Sequence, residues 1–227
     1  MATPEKDTSN SSQLPIKEGN CTKPMQTTAE LSETEEQAIE LVKQGKLSES
    51  ESIYRRLIAK GKNTYTIYGN LAAICGMQNR FEEVVELLNK TLTLKPDYPE
   101  AHYNLGIALK KQGDLNAAII SYKNALQLEP NYVEAHYSLG TALHQQGDLD
   151  SAVTEFRTVL QLKDNYPEAH YNLGASLKKQ GDLTGAIASY QAALTLKPSY
   201  PKAHYNLGNA YQEIGDLISA ISSFKST

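Results

Sequence analysis

Side chains that could hydrogen-bond a ligand recur in this sequence at intervals of 34 residues. The row begins with an asparagine, contains one serine replacement, and consists of Asn70, Asn104, Ser138, Asn172 and Asn206. An asparagine amide offers both donors and an acceptor, so it can bond the main chain of an extended peptide without reading that peptide's sequence. The row indicates peptide binding. The alternative is that it is a generic, solvated feature of the repeat.

Aromatic and basic side chains accompany the asparagine row. A tyrosine directly precedes its last four members, at Tyr103, Tyr137, Tyr171 and Tyr205. Tyrosine supplies contact area to a ligand at low entropy cost, although packing between repeats is the alternative. Farther along each interval lie Lys110, Lys111, His144, Lys178 and Lys179. They predict attraction of an acidic or carboxylate-bearing peptide, with ordinary solvated surface as the alternative.

Histidines recur with the same period, and their type suggests a metal site. They are His102, His136, His170 and His204. Stacked helices lie roughly 8–10 Å apart, whereas zinc binds nitrogen at about 2 Å, so one histidine per repeat cannot converge on one ion. We interpret them as packing residues. Because the sequence also shows no nucleophile–base pair, phosphate loop or carboxylate dyad, we predict no enzyme, no cofactor and no metal.

The apolar spacing predicts the elements that position these side chains. Residues 99–132 and 167–200 are identical at 24 of 34 positions, so one unit has been duplicated. Within 99–132, two apolar runs follow i, i+3, i+4, i+7 helical spacing. Gly113 favours the end of the first helix, and Asp114 favours an N-cap for the second. Neither helix pair can bury its apolar face alone, so neighbouring pairs must stack.

The unit resembles the tetratricopeptide repeat (TPR) family. Counted from residue 99, the characteristic large, small, aromatic and proline positions are His102, Leu105, Gly106, Leu109, Ala118, Tyr122, Ala125 and Pro130. The next unit departs from the pattern at Val159 and Asp164. The repeats are similar to those of O-linked N-acetylglucosamine transferase and of consensus TPR arrays. The resemblance implies an all-α superhelical solenoid of helix-turn-helix repeats, in which the asparagine row lines a concave groove.

The register divides the chain into a tail and six units. Residues 1–30 are polar and predict a disordered tail. The predicted array, 31–227, consists of 31–64, 65–98, 99–132, 133–166, 167–200 and a partial unit at 201–227. Ser32 with Glu35, and Ser48 with Glu51, match capping boxes and predict the starts of the first two helices.

The last unit contains only part of its second helix. Two outcomes are open: this helix frays, or another molecule covers it in weak end-to-end self-association through the C-terminal unit. The sequence favours fraying, because so short a helix is not stable by itself.

Composition excludes several classes of function. The net charge of −4 over 227 residues argues against a general binder of nucleic-acid phosphates. No apolar run approaches the ~18 residues that a membrane span needs, and the N-terminus lacks a signal-peptide pattern. Cys21 and Cys75 form no metal or disulfide framework. We predict a cytoplasmic protein with neither a nucleic-acid nor a membrane partner.

Together these features predict a protein–protein interaction scaffold whose partner is a protein or peptide segment of unspecified identity. The alternative is a non-catalytic regulatory or substrate-docking arm of a TPR-fused glycosyl- or sulfo-transferase, truncated or split here.

Overall fold

Twelve α-helices make up the described part of the protein. The computed structural model describes residues 34–226, and the helices follow one another as six pairs: α1 Glu35–Lys43, α2 Leu47–Ala59, α3 Tyr65–Met77, α4 Phe81–Leu94, α5 Pro99–Gln112, α6 Leu115–Leu128, α7 Val133–Gln146, α8 Leu149–Leu162, α9 Pro167–Gln180, α10 Leu183–Leu196, α11 Pro201–Glu213 and α12 Leu217–Lys225. Each helix packs against the next one along the chain. The predicted all-α solenoid of helix pairs is therefore confirmed.

In the last four pairs, the turn between the two helices follows from two adjacent residues, a glycine and an aspartate. Gly113 takes a left-handed conformation, with φ of 90°, which glycine adopts without a steric penalty. The carboxylate of Asp114 then accepts a hydrogen bond of 3.0 Å from the backbone N–H of Ala117 and caps α6. Asn79, which replaces the glycine before α4, also takes a positive φ of 60°. The predicted stop and cap are both confirmed at the turn before α6, whereas the turn before α4 has the left-handed residue but no side-chain cap.

The two predicted capping boxes are wrong. Helix α1 begins at Glu35, and its capping box joins Thr34 to Gln37, so the helix starts two residues later than the predicted cap at Ser32, which itself lies outside the described residues. Helix α2 begins at Leu47, with no side-chain cap, and this places Ser48 and Glu51 inside the helix rather than at its start. The turn before α2 explains the difference. Gly45 takes a left-handed conformation, with φ of 75°, at the repeat position that Gly113 occupies in unit 99–132, and the second helix of both units begins two residues later.

From residue 99 onward, the core of each unit contains an aromatic ring of the second helix packed over a glycine of the first. Tyr122, Phe156 and Tyr190 are among the largest fully buried side chains. A Cβ built on Gly106 would lie 2.6 Å from the Tyr122 ring, and one on Gly140 would lie 3.0 Å from the Phe156 ring. Real Cβ atoms essentially never lie closer than 3.0 Å to such an atom, and few lie within 3.4 Å, so a side chain at either glycine would require the ring to shift.

Some sequence predictions concern residues at the ends of the chain. The predicted tail, 1–30, and the predicted array boundary at residue 31 lie outside the described residues and stay predictions. At the other end, Ile218 and Ile221 on α12 are 86% and 55% exposed. Fraying or self-association there also stays a prediction.

None of the described helices has both the length and the apolar character needed to cross a membrane.

Cys75 should be chemically inert in the folded protein. Its side chain is fully buried, and burial raises the pKa of the thiol to about 11. Because the thiolate is the reactive species, we expect iodoacetamide to alkylate Cys75 at pH 8 only after denaturation. The measurement is mass spectrometry of a Cys21→Ser variant with and without urea. Rapid alkylation of the native protein would show that α3 opens locally.

Candidate functional site

The first helices of the last four pairs pack side by side and form one continuous surface. Helix α5 contacts α7, α7 contacts α9, and α9 contacts α11, in addition to the contacts between neighbours in sequence. We call the surface of the first helices that carries the asparagine and tyrosine rows the inner face. The predicted row is distributed over it, with Asn70 on α3 and one member each on α5, α7, α9 and α11.

Hydrogen bonds connect the asparagine row to the tyrosine row. The Nδ2 atom of Asn172 donates to the hydroxyl of Tyr137 at 2.9 Å, and that of Asn206 donates to Tyr171 at 2.9 Å. Each bond joins a tyrosine of one unit to the asparagine of the following unit. Sequence reasoning treated the two rows separately and missed this connection. The available signal was the constant separation of 35 residues between the bonded partners.

The tyrosines also pack inside their own units. The ring of Tyr137 lies edge-on to Phe156, with centroids 6.0 Å apart, and stacks on Tyr166 at 5.1 Å. Tyr171 packs against the corresponding residues Tyr190 and Tyr200, with centroids 5.9 and 5.2 Å apart and both pairs of rings tilted. Burial raises the pKa of Tyr137 to about 12, so its hydroxyl stays protonated at neutral pH. These rings therefore position the asparagine amides as well as filling space.

The basic side chains of the predicted set differ in exposure, in protonation and in whether an acidic partner neutralises them. Lys178 forms an ion pair of 2.8 Å with Glu213. His144 lies 2.8 Å from the Ser176 hydroxyl, and burial lowers its pKa, which favours the neutral ring. Burial and the adjacent Lys111 lower the pKa of the half-buried Lys110. Lys111 and Lys179 are exposed and are the strongest positive positions of the predicted set.

The recurring histidines contact the backbone of the loops between units. The Nε2 atom of His102 lies 2.9 Å from the carbonyl oxygen of Pro96, six residues earlier. His136 and His204 make the same contact at 2.8 and 2.9 Å. Each ring ties its helix to the loop that precedes it, a role that the packing interpretation did not include. Within residues 34–226, no group of three or more His, Cys, Asp or Glu side chains is placed to hold a metal ion.

A cavity interrupts the inner face between α3, α4 and α5. Its volume is about 230 Å³, and its lining includes Gly69, Gly76, Leu88, Asn104 and Ile107. Sequence reasoning did not predict it. The available signal was the pair of glycines in α3, at positions where the later units carry tyrosine and a long polar side chain.

Comparison with known proteins identifies the repeat. The family model described as "TPR repeat" matches residues 72–113, 108–147, 140–181 and 176–215. A search of curated protein sequences finds no match.

Several solved structures are similar to the chain. A MamA protein from Desulfovibrio magneticus RS-1, spanning residue 41 to its end, is 27% identical, with a TM-score of 0.69 over 71% of this chain and 91% of that one. Another MamA crystal structure is 27% identical, with a TM-score of 0.70 over 73% and 90%. YrrB, described as a TPR protein with an unusual peptide-binding site, is 22% identical, with a TM-score of 0.68 over 76% and 89%. At that identity, the likeness to YrrB is one of fold alone.

Proposed function

We propose that this chain, which belongs to the tetratricopeptide repeat family, is a scaffold that holds an extended segment of a partner protein along its inner face. The observation that carries the proposal is the tyrosine–asparagine hydrogen bond between units. It fixes the orientation of the Asn172 and Asn206 amides, and a fixed polar group loses little entropy when a ligand binds.

The amides retain bonding capacity after these internal bonds. An asparagine has two N–H donors and a carbonyl acceptor, and the bond from Asn172 to Tyr137 uses one donor. One donor and the acceptor are left, which matches the N–H and C=O of a peptide main chain. Stacked helices lie roughly 8–10 Å apart, and an extended chain rises about 3.3 Å per residue. One asparagine would therefore meet about every third residue of the segment.

Positive charge on the inner face is concentrated near the carboxyl ends of α5 and α9, whereas Glu100 and Glu134 are exposed near the amino ends of α5 and α7. Lys111 and Lys179, near the carboxyl ends of their helices, are exposed and have no ion pair within residues 34–226. At the opposite end of α9, Glu168 is paired with Lys197 at 3.0 Å. An acidic segment lying near the carboxyl ends of α5 and α9 would meet uncompensated positive charge.

Removing two amides of the row should weaken partner binding. Asn104→Ala with Asn172→Ala removes up to two ligand hydrogen bonds, each of which contributes about 0.5–1.5 kcal/mol. We expect the dissociation constant to rise roughly tenfold to a hundredfold. The measurement is calorimetric titration of a partner recovered by affinity capture on the full chain. Circular dichroism of the variant should match the parent.

A matched control separates the inner face from the rest of the surface. Asn131 is exposed in the turn after α6, so Asn131→Ala removes an asparagine outside the row. We expect its affinity for the partner to equal that of the parent. Equal binding by the Asn104/Asn172 double variant and the parent would place the interaction elsewhere on the protein and refute the proposed groove.

A further inference from the structure

The cavity between α3, α4 and α5 exists because three side chains of unit 65–98 are smaller than their counterparts. Gly69 stands where the later units have tyrosine, and Gly76 stands where they have lysine, histidine or glutamine. Leu88 replaces the buried aromatic residue of the second helix, represented by Tyr122 in the next unit. The space normally occupied by these side chains is the cavity of about 230 Å³.

The later units show which group fills the equivalent space. The ring of Tyr137 packs against Phe156, and its hydroxyl accepts a hydrogen bond from Asn172. The residues at the corresponding positions around the cavity are Gly69, Leu88 and Asn104. The asparagine that donates the hydrogen bond is therefore present, but the tyrosine ring that would accept it is replaced by Gly69. Asn104 is exposed, and its amide has no hydrogen-bond partner within residues 34–226.

We propose that this cavity binds a tyrosine side chain carried by the partner segment, so that the ligand supplies the ring that α3 lacks. The ring would pack on Leu88 and Ile107, and its hydroxyl would accept a hydrogen bond from Asn104. The proposal rests on the proposed function, because the segment must lie along the inner face to present this side chain.

The size of the cavity supports a single ring as the occupant. A cavity of about 150 Å³ lined by apolar side chains accommodates benzene, so about 230 Å³ is sufficient for a phenol. Pockets for drug-sized molecules start at roughly 300 Å³. An aliphatic side chain would fit the space but would form no hydrogen bond with Asn104.

Charge near the cavity indicates which residues flank the tyrosine. Ile107 lines the cavity, and Lys110 and Lys111 follow it by three and four residues on the same helix, which places them on the same side one turn farther along. Within residues 34–226 neither lysine has an ion-pair partner. Charge complementarity therefore predicts a glutamate or aspartate next to the tyrosine of the ligand.

The test uses three short peptides and the full ¹⁵N-labelled chain. The peptides are acetyl-Gly-Glu-Tyr-Glu-Gly-amide and its Phe and Ala analogues, titrated up to about 10 mM because one side chain gives only weak affinity. We expect the Tyr peptide to shift the amide resonances of Gly69, Gly76 and Asn104 saturably. It should bind about tenfold more tightly than the Ala peptide, with the Phe peptide between them because it lacks the acceptor for Asn104.

Two variants at Gly69 localise the effect. Gly69→Tyr restores the ring found in the later units and fills the cavity from within, and we expect it to weaken binding of the Tyr peptide about tenfold or more. A Cβ at this position meets only the Thr91 side chain, at 3.9 Å, so the variant should fold normally. Gly69→Ala is the matched control, because it removes the glycine but leaves the cavity open, and it should bind as the parent does.

The outcomes separate this inference from the proposed function. Equal affinity for the Tyr and Ala peptides, an unaffected Gly69→Tyr variant, or absence of any saturable shift would overturn the cavity assignment. If the captured partner still binds Gly69→Tyr but not the Asn104/Asn172 double variant, the scaffold function stands and only the tyrosine site fails. If the partner binds both variants as it binds the parent, both proposals fail.

Discussion

Replacing Phe156 with alanine is expected to lower the free energy of unfolding by about 3–5 kcal/mol, the usual cost of removing a buried aromatic ring. The side chain is completely buried. It packs over Gly140 within its own unit and against Tyr137 on the inner face. Because Tyr137 in turn accepts the hydrogen bond from Asn172 of the following unit, the loss should extend beyond α7 and α8.

Urea unfolding followed by circular dichroism measures the total effect, and hydrogen exchange resolves it by unit. In a repeat array each unit is stabilised by its neighbours, so we expect amide protection to fall in α9 and α10 as well as in the mutated unit. Arg157→Ala changes the adjacent exposed residue and should alter stability by less than about 0.5 kcal/mol. A Phe156→Ala variant as stable as the Arg157→Ala control would show that the ring is not part of the core.

The fold was predictable because the same turn residues and the same apolar spacing recur every 34 residues along the chain. A single Gly–Asp pair is a weak turn signal, but the same pair at Gly113–Asp114, Gly147–Asp148 and Gly181–Asp182 fixes one register for the whole array. The two wrong capping boxes illustrate the limit of local rules. At Ser48 the pattern Ser-x-x-Glu is present, yet the turn at Gly45 had already determined where α2 begins.

The candidate site was predictable as a set of residues but not as a connected structure. Repeat spacing placed the asparagines and tyrosines on the same helices. The hydrogen bonds between asparagine amides and tyrosine hydroxyls depend on the rotation of one unit relative to the next. That rotation angle cannot be derived from the spacing of side chains within one helix. The cavity beside Gly69 was missed for a similar reason: three residues of α3 and α4 are smaller than their counterparts in later units, and the space they leave becomes a cavity only when α5 packs beside them.

The pairing of glycine with an aromatic ring can be tested by exchanging both residues for those of another unit. In unit 65–98 the corresponding residues are Ala72 and Leu88, both buried. Gly106→Ala alone should destabilise the protein by about 1–3 kcal/mol through overpacking, because the new methyl would lie 2.6 Å from the Tyr122 ring. In a Tyr122→Leu background the same change should be neutral or stabilising by up to about 1 kcal/mol, since alanine favours helix more than glycine does.

The difference between these two backgrounds is the coupling energy of the pair, expected within the roughly 0.5–3 kcal/mol seen for residues in contact. Gly76→Ala provides the control, because it is a helical glycine whose Cβ would meet only the Val84 side chain, at 3.9 Å. It should stabilise the protein in either background. Urea unfolding of the parent, the three single variants, the Gly106/Tyr122 double variant and Gly76→Ala in the Tyr122→Leu background gives the full comparison. If Gly106→Ala and Gly76→Ala change the free energy of unfolding of the parent by the same amount, the Tyr122 ring accommodates the added methyl without cost. The buried ring would then not depend on glycine at position 106.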